Sequence, residues 1–293
     1  MEDGVITLAG RPIGAGHPCR VVAELGINHN GSVQIAEALI DAAVAAGADA
    51  VKLQKRTVEV VYMPEDLARP RESPFGTTNG DLKRALEFDA RQYAEIDAHC
   101  RARRIPWFAS AWDVESVAFL DAFDVPAHKV ASACLTDLAL IAAMTKAGKP
   151  LILSTGMSTP EEIAAASRSV ESSGTSYALL VTTATYPAPI DQLHLRRLAT
   201  LQAWYPQIPI GYSGHETGLW TTLCAVAMGA SIVERHLTLD RSAWGTDHAA
   251  SLEPHALKKL IEEIRSFERA AGSSEIRRLP GEAAAWEKLR RVK

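Results

Sequence analysis

Eight short apolar runs alternate along the chain with longer segments in which apolar residues recur every three or four positions. Runs that are apolar on both faces predict buried parallel strands, and the segments between them predict amphipathic helices. Glycine and proline at the junctions, as in AGKPL, mark the turns from helix to strand. The runs are CRVVAELG (19–26), DAVKLQ (49–54), IPWFAS (105–110), AHKVAS (127–132), PLILST (150–155), YALLVT (177–182), IPIGYS (208–213) and SIVERH (231–236).

This alternation predicts an α/β protein, a single-domain (β/α)₈ TIM barrel. Eight strand–helix units in about 250 residues match the usual size of that fold. A doubly wound open sheet is the alternative, but eight consecutive units close more naturally into a barrel. We expect residues 1–17 to form a plug at the barrel bottom, 18–272 to form the barrel with a lid loop at 55–89, and 273–293 to form a tail.

The composition limits the kinds of binding partner and the cellular compartment that we expect. The 293 residues carry a formal net charge of −4 with interspersed signs, which argues against nucleic acid or an anionic membrane as the main partner. No apolar run approaches the roughly 18 residues of a membrane span, and the N-terminus does not look like a signal peptide. The four cysteines are scattered without a CxxC pair, so we expect reduced thiols in the cytoplasm.

Polar residues gather at the carboxyl ends of the predicted strands, where barrels of this kind place their chemistry. Charged groups that point inward from so many strands would be costly if they were merely buried, but they suit a charged ligand. The strand-end residues are Glu24, Lys52, Gln54, Ser110, Lys129, Ser132, Ser154, Thr182, Ser213, His215, Glu234 and His236.

Two lysines lie inside these apolar runs. Lys52 and Lys129 predict an anionic ligand such as a phosphate or a carboxylate. A Schiff-base lysine is a rival interpretation, and internal salt bridges to Glu24 and Asp247 are the purely structural one. Glu24, among apolar neighbours, is a candidate general acid or base with a raised pKa.

Two histidines end neighbouring strands. The imidazoles of His215 and His236 are expected within reach of one metal ion, and with water and substrate oxygens they suit Mn²⁺, Zn²⁺, Fe²⁺ or Co²⁺. The alternative is two unrelated histidines, one a helix cap and one a core residue.

The strings AELGINHNGS, VKLQ, HKVAS, LILSTGMST, TYPAP, GYSGHETG, VERHLTLD and GTDHAASLEP occur in this order over residues 18–290. In this combination the chain resembles the sialic acid synthase (N-acetylneuraminate synthase) family. The resemblance implies a TIM barrel that condenses phosphoenolpyruvate with a sugar-like aldehyde, releases phosphate and forms a 2-keto-3-deoxy sugar acid. A metal-dependent carbon–carbon lyase or aldolase that does not use phosphoenolpyruvate, and a non-catalytic barrel that binds a sugar acid, stay open as alternatives.

The resemblance also assigns roles to residues. It implies that Glu24, Lys52 and Lys129 are catalytic, and that His215 and His236 bind a divalent metal ion, Mn²⁺ by expectation. The positions that we expect to bind phosphoenolpyruvate or the sugar are Gln54, Ser110, Ser132, Ser154, Thr182, Tyr186, Ser213 and Asp247.

Several motifs depart from the family's pattern. The usual STPF after the third strand is SAWD, so a phosphate-binding threonine becomes Ala111, and the usual SGE after the fourth is SAC (132–134). A phosphate-binding Ser or Asn becomes Ala184, and the aspartate of SDHT becomes Gly214. We also expect the family's C-terminal antifreeze-like domain to be absent, which leaves barrel-to-barrel contacts as the route to a homodimer. These changes predict an acceptor other than N-acetylmannosamine and a role in specialised metabolism.

Overall fold

Eight parallel strands close into a barrel in the computed structural model, which describes residues 4–292. Each of the eight predicted runs contains one barrel strand, so the predicted TIM barrel is confirmed and the open sheet was wrong. Barrel strands follow chain order, and β12 pairs with β3 to close the ring. The strands are β1 (Val5–Leu8), β2 (Arg11–Gly14), β3 (Arg20–Glu24), β4 (Ala50–Lys55), β5 (Pro70–Ser73), β6 (Gly76–Thr78), β7 (Trp107–Ala111), β8 (His128–Val130), β9 (Leu151–Ser154), β10 (Tyr177–Thr182), β11 (Ile210–Gly214) and β12 (Ile232–His236).

Helices follow the barrel strands and cover the outside of the ring. Their sequences bury an apolar stripe and carry ordinary start signals, such as the Thr159 N-cap that forms a capping box with Glu162. The helices are α1 (Val33–Ala46), α2 (Val58–Val61), α3 (Pro64–Ala68), α4 (Asn79–Leu86), α5 (Ala90–Arg103), α6 (Val114–Asp121), α7 (Leu138–Lys146), α8 (Pro160–Glu171), α9 (Arg197–Trp204), α10 (Trp220–Ala227), α11 (Pro254–Ala271) and α12 (Ala283–Leu289).

The hydrogen-bonding register of the barrel aligns the polar strand ends with one another. His236 lies opposite Glu24, and Glu24 lies opposite Lys52 on the next strand. Ser110 lies between Gln54 and Lys129 in the same way. Side chains that are far apart in sequence therefore meet at one end of the barrel.

The excursion after β4 is an ordered substructure rather than a plain loop. It contains α2, α3, the antiparallel β5–β6 pair and α4. Helix α4 begins at a Thr78–Asp81 capping box and packs so closely on the loop after β3 that a Cβ at Gly31 would lie 2.2 Å from the carbonyl oxygen of Ala85. The excursion is thus held against the mouth of the barrel.

The two ends of the described chain differ in burial. The β1–β2 hairpin places Ile6, Leu8 and Ile13 in the core, and Arg11 pairs with Asp49 at the amino end of β4. Residues 1–3 of the predicted plug lie outside the described residues. The tail beyond α11 is exposed along most of its length and carries the short helix α12. No helix in residues 4–292 is long and apolar enough to cross a membrane.

The close contact at Gly31 gives a test of this packing. Gly31 and Gly10 have similar left-handed φ values of +75° and +77°, but a Cβ at Gly10 would meet nothing within 4 Å. We expect Gly10→Ala to lower the free energy of unfolding by only the cost of a left-handed backbone conformation, about 1–2 kcal/mol. Gly31→Ala should lower the free energy of unfolding, measured in urea, by more than this. It should also speed amide hydrogen exchange in α4. Equal losses without faster exchange would contradict this account of how α4 is held.

Candidate active site

A cavity of about 270 Å³ opens at the carboxyl ends of the barrel strands. It is lined by twelve of the thirteen side chains that the sequence predicts as site residues. These are Glu24, Lys52, Gln54, Ser110, Lys129, Ser132, Ser154, Thr182, Tyr186, Ser213, His215 and His236. Asp247 does not line this cavity but lies beside it, with Oδ2 at 3.7 Å from Nδ1 of His236.

The centre of the site is a buried group of acids around one lysine. The ammonium of Lys52 lies 2.8 Å from Oε2 of Glu24 and 3.7 Å from Oε1 of Glu234, and it donates to Oγ of Ser110 at 3.0 Å. All of these side chains are almost completely buried. Glu24 therefore forms a salt bridge with Lys52, as the purely structural interpretation expects. This pairing is compatible with a catalytic role for Glu24.

Glu234 is one of the strand-end residues, but no catalytic, binding or metal role is predicted for it from the sequence. Its carboxylate lines the cavity, accepts a hydrogen bond from Oγ of Ser213 at 3.2 Å and faces Lys52. The ammonium groups of Lys52 and Lys129 hold the pKa of Glu234 below its ordinary value despite burial. The signal was present in the sequence, because Glu234 is an acid inside the apolar run SIVERH, two residues before His236.

Glu24 differs from Glu234 in its protonation. Burial raises the pKa of Glu24 from 4.5 to about 7, against the opposing effect of the Lys52 ammonium. Nε2 of Gln54 donates to Oε1 of Glu24 at 2.9 Å, and the guanidinium of Arg56 donates in turn to Oε1 of Gln54. Glu24 is therefore oriented, and it is poised to exchange a proton near neutral pH.

Lys129 lies in a different environment from Lys52. Its ammonium donates to Oγ of Ser154 at 2.6 Å and to the carbonyl oxygen of Val130 at 3.0 Å, and no carboxylate in residues 4–292 lies within salt-bridge distance of it. Burial lowers the pKa of Lys129 from 10.5 to about 8. The structural alternative of an Asp247 partner for this lysine is wrong, because Asp247 lies against His236.

The two histidines are neighbours, as predicted. Their ring centroids are 5.3 Å apart, and the ring of Tyr186 lies 4.1 Å from that of His215. Nδ1 of His215 donates to the carbonyl oxygen of Thr183 at 2.8 Å, an arrangement that leaves Nε2 unprotonated as a metal ligand. Burial lowers the pKa of His215 to about 4 and also lowers that of His236, so both imidazoles are neutral at neutral pH.

The donor set fits a divalent ion that shares its coordination with water and substrate. Nδ1 of His236 is buried and has no hydrogen-bond partner in the described residues. Within those residues no group of three or more His, Cys, Asp or Glu side chains is arranged to hold a metal ion. Two neutral imidazoles, one of them with an unpartnered ring nitrogen, are an incomplete ligand set of the kind found where a metal keeps open positions.

One side of the cavity is apolar. Ala131, Ala133, Met157 and Ala184 line it after the strands β8, β9 and β10, and Trp112 continues the surface after β7. Three of the departures from the family's motifs, Trp112, Ala133 and Ala184, fall on this side. Cys134, which replaces the family's glutamate, is buried away from the cavity lining, and burial raises the pKa of its thiol to about 11.

Trp112 has a defined partner. The guanidinium of Arg56 lies 4.5 Å from the centroid of its indole ring. Nε1 of Trp112 is buried without a hydrogen-bond partner in the described residues. The tryptophan therefore both fills space and stacks on a flat cationic group, here one supplied by the chain itself.

A closed parallel barrel with acids, lysines and histidines converging at the carboxyl ends of its strands defines a (β/α)₈ enzyme. The NeuB family model matches residues 39–276, and the chain belongs to that family. It is 39% identical to the mouse N-acetylneuraminate-9-phosphate synthase over 282 residues, which cover 96% of this chain and 79% of that protein. It is 34% identical to the N,N'-diacetyllegionaminic acid synthase of Campylobacter jejuni over 260 residues, which cover 86% of this chain and 77% of that protein.

The fold comparison agrees with the family assignment. The crystal structure of N-acetylneuraminic acid (sialic acid) synthetase from Leptospira borgpetersenii superposes with a TM-score of 0.85 at 29% identity, covering 99% of both chains. A truncated 3-deoxy-D-arabino-heptulosonate 7-phosphate synthase from Thermotoga maritima matches at 14% identity with a TM-score of 0.70, which shows a shared fold alone.

The contrast between the two lysines predicts opposite effects on stability. Lys52→Met would leave Glu24 and Glu234 buried without their cation, and we expect a loss of about 3–5 kcal/mol in the free energy of unfolding. Lys129→Met removes a buried ammonium that no carboxylate pairs with, so the free energy of unfolding should stay level or rise. Denaturant unfolding at pH 7 measures both, and a large loss in Lys129→Met would contradict the environment described for this lysine.

The raised pKa of Glu24 predicts a pH dependence of stability. Between pH 4.5 and 7 the folded protein holds a proton that the unfolded chain has released, so the free energy of unfolding should fall as the pH rises through this window. Glu24→Gln should flatten that fall in metal-free protein, whereas the exposed control Glu161→Gln should not. An unchanged slope in Glu24→Gln would show that another group titrates.

Proposed function

We propose that this protein condenses phosphoenolpyruvate with a sugar-like aldehyde, releasing phosphate and forming a 2-keto-3-deoxy sugar acid. The observation that carries the proposal is the buried ammonium of Lys129, which no carboxylate in residues 4–292 pairs with and which lies among serine hydroxyl groups. A buried cation in such surroundings favours an anionic ligand. The synthase names of the related proteins agree with this chemistry.

Different residues of the chain would bind the substrate and position the acids. Lys129, Ser132, Ser154 and Ser213 would bind the phosphate and carboxylate of phosphoenolpyruvate with a cation and neutral donors. The carboxylates of Glu24 and Glu234 already engage Lys52, so that lysine would position the acids and add positive charge near the reacting carbons.

Glu24 is the residue that we expect to transfer protons in this reaction. In the reaction, C3 of phosphoenolpyruvate bonds to the aldehyde carbon, water adds at C2, and the C–O bond to phosphate then breaks. The new alkoxide needs a proton and the attacking water must lose one. A carboxyl group with a pKa of about 7, held in place by Gln54, suits either transfer.

His215 and His236 would hold the divalent ion, which we expect to be Mn²⁺. When bound, such an ion polarises the aldehyde oxygen as a Lewis acid. Tyr186 packs against both imidazoles and would limit access of water to that corner of the cavity.

We further propose that the acceptor is not N-acetylmannosamine. The apolar side formed by Trp112, Ala131, Ala133 and Ala184 lacks the polar groups that the family's motifs carry there. The related proteins themselves carry the names of different sugar acids, so the acceptor differs among such barrels.

Calorimetry with phosphoenolpyruvate, with and without Mn²⁺, tests the proposal. Wild type should bind phosphoenolpyruvate in the micromolar range, and Lys129→Met should weaken binding at least about ten-fold because the anion loses its charge-assisted hydrogen bonds. Mn²⁺ binding should disappear in His236→Ala and persist in His255→Ala, whose histidine is exposed and outside the cavity.

An aldehyde screen that reads phosphate release then identifies the acceptor. If phosphoenolpyruvate does not bind in the presence of Mn²⁺, the condensation reaction is wrong. A metal-dependent lyase or aldolase would then be the function to test, and so would a barrel that binds a sugar acid without catalysis.

A further inference from the structure

A buried arginine lies behind the wall of the active-site cavity without lining the cavity itself. Arg56 follows β4 directly, and its side chain is only 9% exposed. It contacts two cavity-lining residues, Gln54 through a hydrogen bond and Trp112 through its ring. The reaction proposed above gives Arg56 no role.

The guanidinium of Arg56 is held by an ion pair and by an aromatic ring. Nη1 donates to Oε1 of Glu87 at 2.9 Å, and the backbone N–H of Arg56 donates to Oε2 of the same carboxylate at 3.1 Å. The indole ring of Trp112 lies 4.5 Å from the guanidinium carbon. The ion pair fixes the position of the guanidinium and the ring fixes its plane, and Nη2 then donates to Oε1 of Gln54.

This contact determines which way the amide of Gln54 faces. The oxygen and nitrogen ends of a carboxamide have nearly the same shape, so their hydrogen-bond partners decide the direction. An arginine carries donors only, and the amide oxygen must therefore face Arg56. Nε2 faces the other way and donates to Oε1 of Glu24 at 2.9 Å. Since Oε2 of Glu24 lies 2.8 Å from the ammonium of Lys52, both carboxylate oxygens meet a donor.

The rest of Gln54 is held without the help of Arg56. Its backbone carbonyl oxygen accepts a hydrogen bond at 2.8 Å from the hydroxyl group of Tyr93, and its backbone pairs with Ser110 in the barrel. The rotation of the terminal amide is therefore what Arg56 controls. An amide that turned freely would at times present its carbonyl oxygen to Glu24, and two acceptors would then face each other.

We propose that Arg56 is a positioning residue, which fixes the amide of Gln54 so that a hydrogen-bond donor faces Glu24 and holds this carboxyl group in one orientation for proton transfer. Arg56 acts through Gln54 and does not touch the substrate. Its carboxylate partner, Glu87, directly follows α4, so the excursion after β4 is connected to the catalytic acid. The role in proton transfer rests on the proposed condensation, but the direction of the amide does not.

NMR of protein labelled with ¹⁵N in its glutamine side chains tests the direction of the amide without a substrate. The signals of Gln54 are identified by their loss in Gln54→Leu. In wild type we expect one of its amide protons to exchange slowly with water, because it is donated to a buried carboxylate. In Arg56→Met this exchange should become at least about ten-fold faster. The amide of Gln202, which donates to the carbonyl oxygen of Met228 at 3.1 Å, is the internal control and should not change.

Steady-state kinetics with the aldehyde found in the screen test the role in the reaction. Arg56→Met should lower kcat at least about ten-fold and leave the KM for phosphoenolpyruvate within about two-fold. In a Gln54→Leu background the same substitution should lower kcat no further, because the effect of Arg56 passes through Gln54. Arg20 is the matched control, a largely buried arginine that pairs with Asp49 at the amino end of the barrel. Arg20→Met should leave kcat unchanged.

A second variant guards against a loss of folding. Arg56→Met leaves Glu87 buried without its closest cation, so both measurements are repeated with Glu87→Met added, which removes both charges of the pair. An unchanged Gln54 amide in both variants, or a loss of kcat that is equally large in the Gln54→Leu background, would overturn the positioning role.

The outcomes separate this role from the condensation reaction. A Gln54 amide that responds to Arg56→Met in a protein that does not bind phosphoenolpyruvate would keep the direction of the amide and remove the reaction. Binding of phosphoenolpyruvate to a protein whose Gln54 amide ignores Arg56→Met would keep the reaction and remove the role of Arg56.

Discussion

The burial of four charged side chains at the mouth of the barrel is the constraint on which the site depends. Lys52, Glu24 and Glu234 form one desolvated group, and no carboxylate of residues 4–292 lies within salt-bridge distance of Lys129. Burial raises the pKa of Glu24 and lowers that of Lys129, so each is least stable in its charged form without a counter-charge. A bound anion would neutralise the buried positive charge of Lys129. The desolvation that destabilises this charge in the unliganded protein is therefore also what favours binding of an anion.

The sequence predicted the barrel because strand burial and helix periodicity are local signals, and all eight runs contain barrel strands. It also predicted which side chains share one end, since the carboxyl ends of parallel strands meet there. It did not show how the charges pair: Glu234, listed only as a strand-end residue, faces Lys52, and Asp247 lies against His236 instead of a lysine. Pairing depends on register and side-chain direction, which a single sequence does not specify.

The excursion after β4 shows a second limit of sequence reasoning. Its prolines, glycines and charges predicted a loop, but short elements within it pack on the loop after β3. Arg71 and Lys83 look like ordinary surface charges in the sequence. Only the fold reveals that both of them line one cavity.

The placement of the two histidines rests on a buried ion pair behind them. Arg235 and Glu216, each the immediate chain neighbour of a site histidine, are completely buried and 3.1 Å apart. The guanidinium also donates to the carbonyl oxygen of Glu216 and to Thr222, while Tyr212 donates to the Glu216 carboxylate. An ion pair with this many hydrogen bonds offsets its desolvation and ties the end of β12 to the loop after β11. The barrel thus fixes its imidazoles through the residues beside them in sequence, and His215 and His236 themselves keep ring nitrogens free for a ligand.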